Sequence, residues 1–257
     1  MIPAPAPLLP LELSDFGAIR GSVALSDPLT LRLEPGTVLG IVGPNGVGKS
    51  SLLGAIAQSG VSSYGSARFG SEELTRAKAK RRSELVSLMA QDHGAPGELR
   101  VRELVGVGAW ASRRSDHAAA VDAALERAGV SHLADRRYSV LSGGQRQLVQ
   151  LARVLAQNTP IVVLDEPTSA LDLAHQRAVE QIMRGLGNQG RIVIAAIHDL
   201  SIALNTCTRV LLLDPEGSSH TGTPHEVLGP ERVFAAYGVR TTIHTTPQGR
   251  RILAADD

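Results

Sequence analysis

Val38-Leu-Gly-Ile-Val42, Gly43-Pro-Asn-Gly-Val-Gly-Lys-Ser50 and Ser51-Leu-Leu-Gly-Ala-Ile-Ala-Gln58 follow one another without a break, and that order decides the fold. An apolar, β-rich run leads into a glycine-rich turn ending in Lys-Ser, and a stretch suited to a helix follows. The turn satisfies G-x-x-x-x-G-K-[ST] in the strand-turn-helix setting that pattern requires. Its composition follows from its chemistry: glycines let backbone N–H groups wrap phosphate oxygens, and the helix N-terminus adds partial positive charge. The expected phosphate-binding residues are Gly43, Pro44, Asn45, Gly46, Val47, Gly48, Lys49, Ser50 and Ser51. Lys49 is expected to neutralise the β and γ phosphates of a nucleotide and Ser50 to ligate Mg2+.

Four further apolar runs lie outward from this stretch: LVSLMA at 85–90, IVVLD at 161–165, RIVIAAI at 191–197 and RVLLLD at 209–214. Runs this continuously apolar predict strands covered on both faces, hence a largely parallel sheet with function at its C-terminal ends. IVVLD closes on Asp165 and Glu166, then Pro167, which cannot donate to a ladder and ends the strand. Asp165 is placed to hold Mg2+ through water, and Glu166 to accept a proton from an attacking water.

The character between Gln91 and Thr159 is different, with helical stretches such as HAAAVDAALERAGV and QRQLVQLARVLAQ. The division that follows has a flexible tail at 1–10, an α/β core at 11–90 and 160–215, a helical insertion at 91–159 and an extension at 216–257. The extension holds a short helical piece, ERVFAAYG, and a hairpin candidate, TTIHTTPQGRRIL.

Composition narrows the function. With 257 residues there is room for one such module. The 26 basic residues nearly balance the 25 acidic ones, and aromatics make up only 3%, so neither a phosphate-backbone field nor a base-stacking platform is expected and nucleic acid is not an expected partner. One cysteine, Cys207, leaves no internal disulfide or paired-cysteine zinc site. MIPAPAPLLP lacks the basic and apolar regions of a signal peptide, and no run of 18 apolar residues occurs, so a membrane role is expected to come through a partner.

Leu141-Ser-Gly-Gly-Gln145 predicts a helix start, with Ser142 as N-cap and Gln145 completing a capping box before QRQLVQLARVLAQ. Glycines there also leave open N–H groups able to grip a phosphate. Together with the phosphate-binding loop, Gln91 at a strand end, VVLDEP at 162–167, SALD at 169–172 and His198 at a strand end, this segment resembles the signature of ABC ATPases, in the family's order and spacing. The resemblance covers nearly the whole chain. It implies an α/β P-loop NTPase core with a mainly parallel sheet, an N-terminal antiparallel β portion and an inserted helical subdomain.

It implies too that the chain hydrolyses ATP with Mg2+ as a head-to-tail homodimer, each ATP lying between the loop of one copy and the signature of the other. Gln91 would then contact Mg2+ and sense the γ-phosphate. Ser142, Gly143, Gly144 and Gln145 would face the partner's ATP, and Asp172 would lie in the dimer seam. His198 would contact the γ-phosphate and orient the catalytic water, joining Lys49, Gln91 and Glu166 as catalytic residues. One position departs from the family: where an aromatic usually stacks on adenine, GAIRGSV offers Arg20, which either stacks through its planar guanidinium or is a solvated arginine.

Within the family, DEPTSALDLAHQ, LARVLAQN, HDLSIALNTCTRVLLLD and TGTPHEVLGPERVFAAYGV are similar to the ATPases of ferric-siderophore, haem and cobalamin importers. That likeness implies transmembrane permease subunits as partners, a substrate-binding protein acting through them, and a cytoplasmic place on the inner membrane face. The alternatives are another ABC transporter, with other cargo or direction, and a soluble ABC ATPase acting on nucleic acid or the ribosome.

Overall fold

The structure is a computed structural model that describes residues 8–21, 23–25, 27–91, 98–111 and 116–256, without the side chain of Arg20. In chain order, the first part comprises β1 (Leu11–Arg20), β2 (Val23–Ala24), β3 (Leu29–Leu33), β4 (Val38–Val42), α1 (Lys49–Ala57), β5 (Ser62–Phe69), β6 (Glu72–Glu73), α2 (Ala79–Leu85) and β7 (Val86–Met89). Three helices follow: α3 (Val101–Trp110), α4 (His117–Arg127) and α5 (Gly143–Gln157). The chain then alternates β8 (Ile161–Asp165), α6 (Leu173–Asn188), β9 (Ile192–Ala196), α7 (Leu200–Thr206) and β10 (Arg209–Leu213). Last come β11 (Ser219–Gly222), α8 (Pro224–Val227), α9 (Pro230–Tyr237), β12 (Thr241–Thr245) and β13 (Arg251–Ala255).

All five apolar runs form strands of one sheet, ordered β11-β10-β4-β9-β8-β7. Its pairs from β10 to β7 are parallel, and β11 adds an antiparallel edge. Side chains alternate between two apolar clusters, as a strand's period of two requires. Val38, Val162, Leu164, Val193 and Leu212 face the cluster shared with α3 to α7. Leu39, Ile41, Val163, Ile194 and Leu211 face the one beneath α1 and the antiparallel strands. Both faces are thus dry, and each fully buried Leu or Ile contributes roughly 1.5–3 kcal/mol.

The first strands build an antiparallel sheet in the order β2-β1-β5-β6, with β3 also paired antiparallel to β1. This is the expected N-terminal antiparallel portion, and α1 is sandwiched between the two sheets. Gly40 in β4 is required by a close approach, since a Cβ there would lie 2.7 Å from Cys207 Sγ. Cys207 is buried, and burial pushes its thiol up to about 12.

Helices α3, α4 and α5 pack on one another and on the sheet face that carries Val162 and Leu164. α5 is also bonded to the edge strand β7 and to α2 before it. Gln157 Nε2 donates to the Ser83 and Val86 carbonyls at 2.7 and 3.1 Å, and Arg153 Nη2 donates to the Leu88 carbonyl at 2.9 Å.

The expected C-terminal helix and hairpin form as α9 and β12–β13, and the hairpin is clasped to the core. Asn205 of α7 donates to the Arg251 carbonyl at 2.7 Å and accepts from the Arg251 amide at 3.0 Å. The Leu253 amide donates to Ser201 Oγ at 3.0 Å. Arg250 forks onto Glu180 of α6 with bonds of 3.1 and 2.9 Å. Among the described residues no helix is long and apolar enough to cross a membrane. Residues 1–7 of the expected tail lie outside the described residues.

Candidate functional site

The C-terminal ends of four neighbouring parallel strands converge on one open cleft of about 570 Å³. β4 delivers the glycine loop, β7 delivers Gln91, β8 delivers Asp165 and Glu166, and β9 delivers His198. The cleft is lined by Asn45, Gly46, Gly48, Lys49, Ser50, Ser51, Gln91, Glu166 and His198.

The loop needs its glycines. Gly43 has φ 149°, and a Cβ there would lie 2.4 Å from the Leu213 carbonyl oxygen, so the turn is pressed against the end of β10. Gly46 (φ 82°) and Gly48 (φ 103°) sit in left-handed backbone, and Gly48 caps α1. Pro44 and Val47 complete the turn. Lys49, the first residue of α1, curls back so that Nζ donates to the carbonyls of Gly43 (2.7 Å) and Pro44 (2.9 Å). An ammonium has three donors, so one is left for a phosphate oxygen in the cleft. Burial lowers the Lys49 pKa, while the carboxylates of Glu166 and Asp165 oppose that shift.

Ser50 Oγ donates to Asp165 Oδ1 at 3.0 Å. Burial raises the Asp165 pKa, opposed chiefly by this bond. A hydroxyl and a carboxylate side by side, in a cleft that Gln91 also lines, are hard oxygen donors of the type magnesium takes. Among the described residues no group of three His, Cys, Asp or Glu could hold a metal on its own.

Glu166 has φ 51°, a left-handed backbone unusual for a residue with a side chain. The turn aims its carboxylate into the cleft, where Oε1 lies 2.5 Å from His198 Nε2. His198 precedes α7, whose N-cap Asp199 accepts from the amides of Ser201 and Ile202. A carboxylate held by an imidazole over a phosphate-binding loop can take a proton from a water and keep its orientation while doing so.

The expected signature residues do not line this cleft. Ser142 caps α5 as the spacing predicts, accepting from the Gln145 amide at 3.3 Å while its own amide donates to Gln145 Oε1 at 3.1 Å. Ser142 and Gly143 are exposed, and Gly144 lies against the Ala170 carbonyl, to which a Cβ would come within 3.0 Å. Asp172 is exposed as well and caps α6, accepting from the His175 amide at 2.9 Å and meeting His175 Nδ1 at 2.8 Å. The structure therefore brings together the loop, Gln91, Asp165, Glu166 and His198, and leaves Ser142–Gln145 and Asp172 outside the lining of that cleft. The side chain of Arg20, the candidate for adenine, lies outside the described residues.

Two residues at the site have no assigned role in the sequence expectations. Gln147 Nε2 donates to the Glu166 carbonyl at 2.6 Å, and Ser169 Oγ donates to the same oxygen at 3.0 Å. A signal for Gln147 does exist, because it stands four residues before Leu151 and seven before Val154 on the apolar stripe of α5. A polar side chain on a core-facing stripe needs a buried partner.

Comparison with known proteins is consistent along most of the chain. The family model described as ABC transporter matches residues 26–169. The hemin import ATP-binding protein HmuV of Pseudomonas entomophila is 39% identical over 245 residues, covering 93% of this chain and 96% of that protein. A chain from the inward-facing structure of a metal-chelate type ABC transporter superposes with TM-score 0.81 at 24% identity, covering 97% of this chain and 98% of that one. CbiO1 of Clostridium perfringens, part of the cbiONQ ABC transporter complex, superposes with TM-score 0.72 at 26% identity, covering 87% and 92%.

Proposed function

The chain belongs to the ABC transporter family, and from that premise we propose that it is the ATP-hydrolysing motor of an importer for haem or a related iron chelate. It would work as a head-to-tail pair beneath transmembrane permease subunits, which a substrate-binding protein loads from the far side. The iron-chelate part of the reading is supported by the HmuV relative, whose name states hemin import and which covers nearly the full length.

The observation that carries the mechanism is the separation of the two phosphate-gripping elements. The cleft holds Lys49, Ser50, Asp165, Glu166 and His198. The Ser142-capped start of α5 opens its N–H groups to solvent elsewhere, so it suits the nucleotide of a second copy.

In this reading the loop amides and Lys49 bind the β and γ phosphates. Ser50, Asp165 and Gln91 hold Mg2+, which when bound would neutralise charge on the transferred group. Glu166 accepts the proton of the attacking water, and the His198 imidazole keeps that carboxylate pointed at it. ATP becomes ADP and phosphate, and closure of the pair is passed to the permease as movement.

Two measurements test this. Ser142→Arg should abolish turnover while leaving ATP binding by the same copy's loop intact, and unchanged turnover would end the head-to-tail model. The chain, purified with its permease and placed in vesicles, should show ATPase activity stimulated by a haem-loaded binding protein. Stimulation by a different cargo, or by nucleic acid, would overturn the haem assignment.

A further inference from the structure

The Glu166 carbonyl oxygen is unusually crowded with donors. The Ser169 amide reaches it at 3.1 Å, the Ser169 hydroxyl at 3.0 Å, and Gln147 Nε2 at 2.6 Å. The first two bonds close a local turn. The third comes from α5, nineteen residues earlier in the chain, and it is the shortest. Gln147 is buried, so little water competes for that bond.

Glu166 itself is held at φ 51°, a left-handed conformation that a side-chain-bearing residue adopts only when its surroundings enforce it. The direction of its carboxylate therefore depends on the donors at its own carbonyl. One turn nearer the start of α5, the Gly144 backbone is packed against the Ala170 carbonyl and the Leu171 side chain. The first two turns of α5 and the segment Glu166–Leu171 thus touch at two points, both of them close.

We infer that Gln147 is a positioning residue that couples the exposed start of α5 to the Glu166 carboxylate of the same chain. This rests on the paired reading above, in which that helix start meets the nucleotide of the opposite site. A phosphate engaged by Ser142 and Gly144 displaces the start of α5, and the Gln147 amide carries the displacement to the Glu166 peptide. Occupancy of one shared site then sets the general base of the other. The two sites communicate inside one chain, with the Gln147 side-chain amide as the link to the base.

The test uses pairs in which one copy carries Glu166→Gln, so that both loops still bind ATP and turnover depends on the Glu166 of the other copy. Gln147→Met keeps the side-chain volume and removes the donor. Placed in the copy with intact Glu166, it should lower residual turnover about tenfold, with the KM for ATP unchanged, because misplacement of a catalytic group lowers kcat. Loss that follows the Glu166→Gln copy would mean that Gln147 serves its own signature instead, and equal loss from either copy would mean a structural role. Either result overturns the inference.

Ser169→Ala removes an exposed donor to the same carbonyl and should lower kcat in the same sense with the fold intact; no change in kcat counts against the coupling. Ser142→Arg in the same pairs tests the underlying model separately. Its loss must follow the Glu166→Gln copy, and the opposite pattern would sink the head-to-tail arrangement whatever Gln147 does.

Discussion

Arg250→Met should weaken the fold by about 3 kcal/mol, through a contact far from the nucleotide cleft. Arg250 meets Glu180 by a two-pronged bond, and the Glu180 side chain is 1% exposed against 23% for Arg250. Among the described residues, Thr206 Oγ1 also donates to that carboxylate, at 3.4 Å. Removing one partner of a buried charge pair costs about 3–5 kcal/mol. Because the arginine side is partly open, water can reach the stranded carboxylate, which places the loss near the lower end. For a chain of this size each kcal/mol lowers the melting temperature by roughly 2–4 °C, so the midpoint should fall by about 6–12 °C. Differential scanning fluorimetry and urea titration with an unchanged m value would read it. Adding Glu180→Leu should recover most of the loss, since an apolar pair avoids the stranded charge. A loss below about 1 kcal/mol, or a double variant no better than the single one, would refute this account of the clasp.

Glu166→Gln should retain ATP binding while phosphate release in a single turnover falls on the order of a hundredfold or more, and near-normal release would remove Glu166 from the base role. Asp165→Asn should raise the melting temperature at neutral pH while abolishing magnesium-dependent nucleotide binding. The sign follows from the raised folded-state pKa of Asp165. The folded state holds that proton more tightly than the unfolded chain, so stability drains away as pH rises from about 3.9 through the folded value, and the gap to the variant should widen over that window. A gap that narrows with pH would contradict it. Gly43→Ala forces a Cβ to 2.4 Å from the Leu213 carbonyl at φ 149° and should cost about 1–3 kcal/mol along with ATP binding; a variant that melts and binds normally would show that the loop yields there.

Local chemistry was legible in the sequence, and distant pairing was not. The capping box at Ser142 and Gln145 needs only two residues three apart, and both of its bonds form. The five strands of the parallel sheet were readable because burial on both faces demands unbroken apolar runs, and four of the five runs end where a candidate site residue begins. β5, Ser62–Phe69, escaped notice because its serines and glycine carry no alternation; it forms by pairing with β1 and β6. The bond from Gln147 to Glu166 and the clasp from Arg250 to Glu180 span 19 and 70 positions, so only the folded arrangement reveals which polar groups meet.

Cys207 has a practical consequence. It is the chain's one cysteine, and a pKa near 12 leaves roughly one thiolate in 100,000 at pH 7, so maleimides and methanethiosulfonates should pass it by. The protein is in effect already cysteine-silent. Leu173, 81% exposed beside Asp172 at the start of α6, could be exchanged for cysteine and labelled alone. A spin label there on each copy would turn assembly of the pair into an interspin distance that can be followed through the turnover cycle.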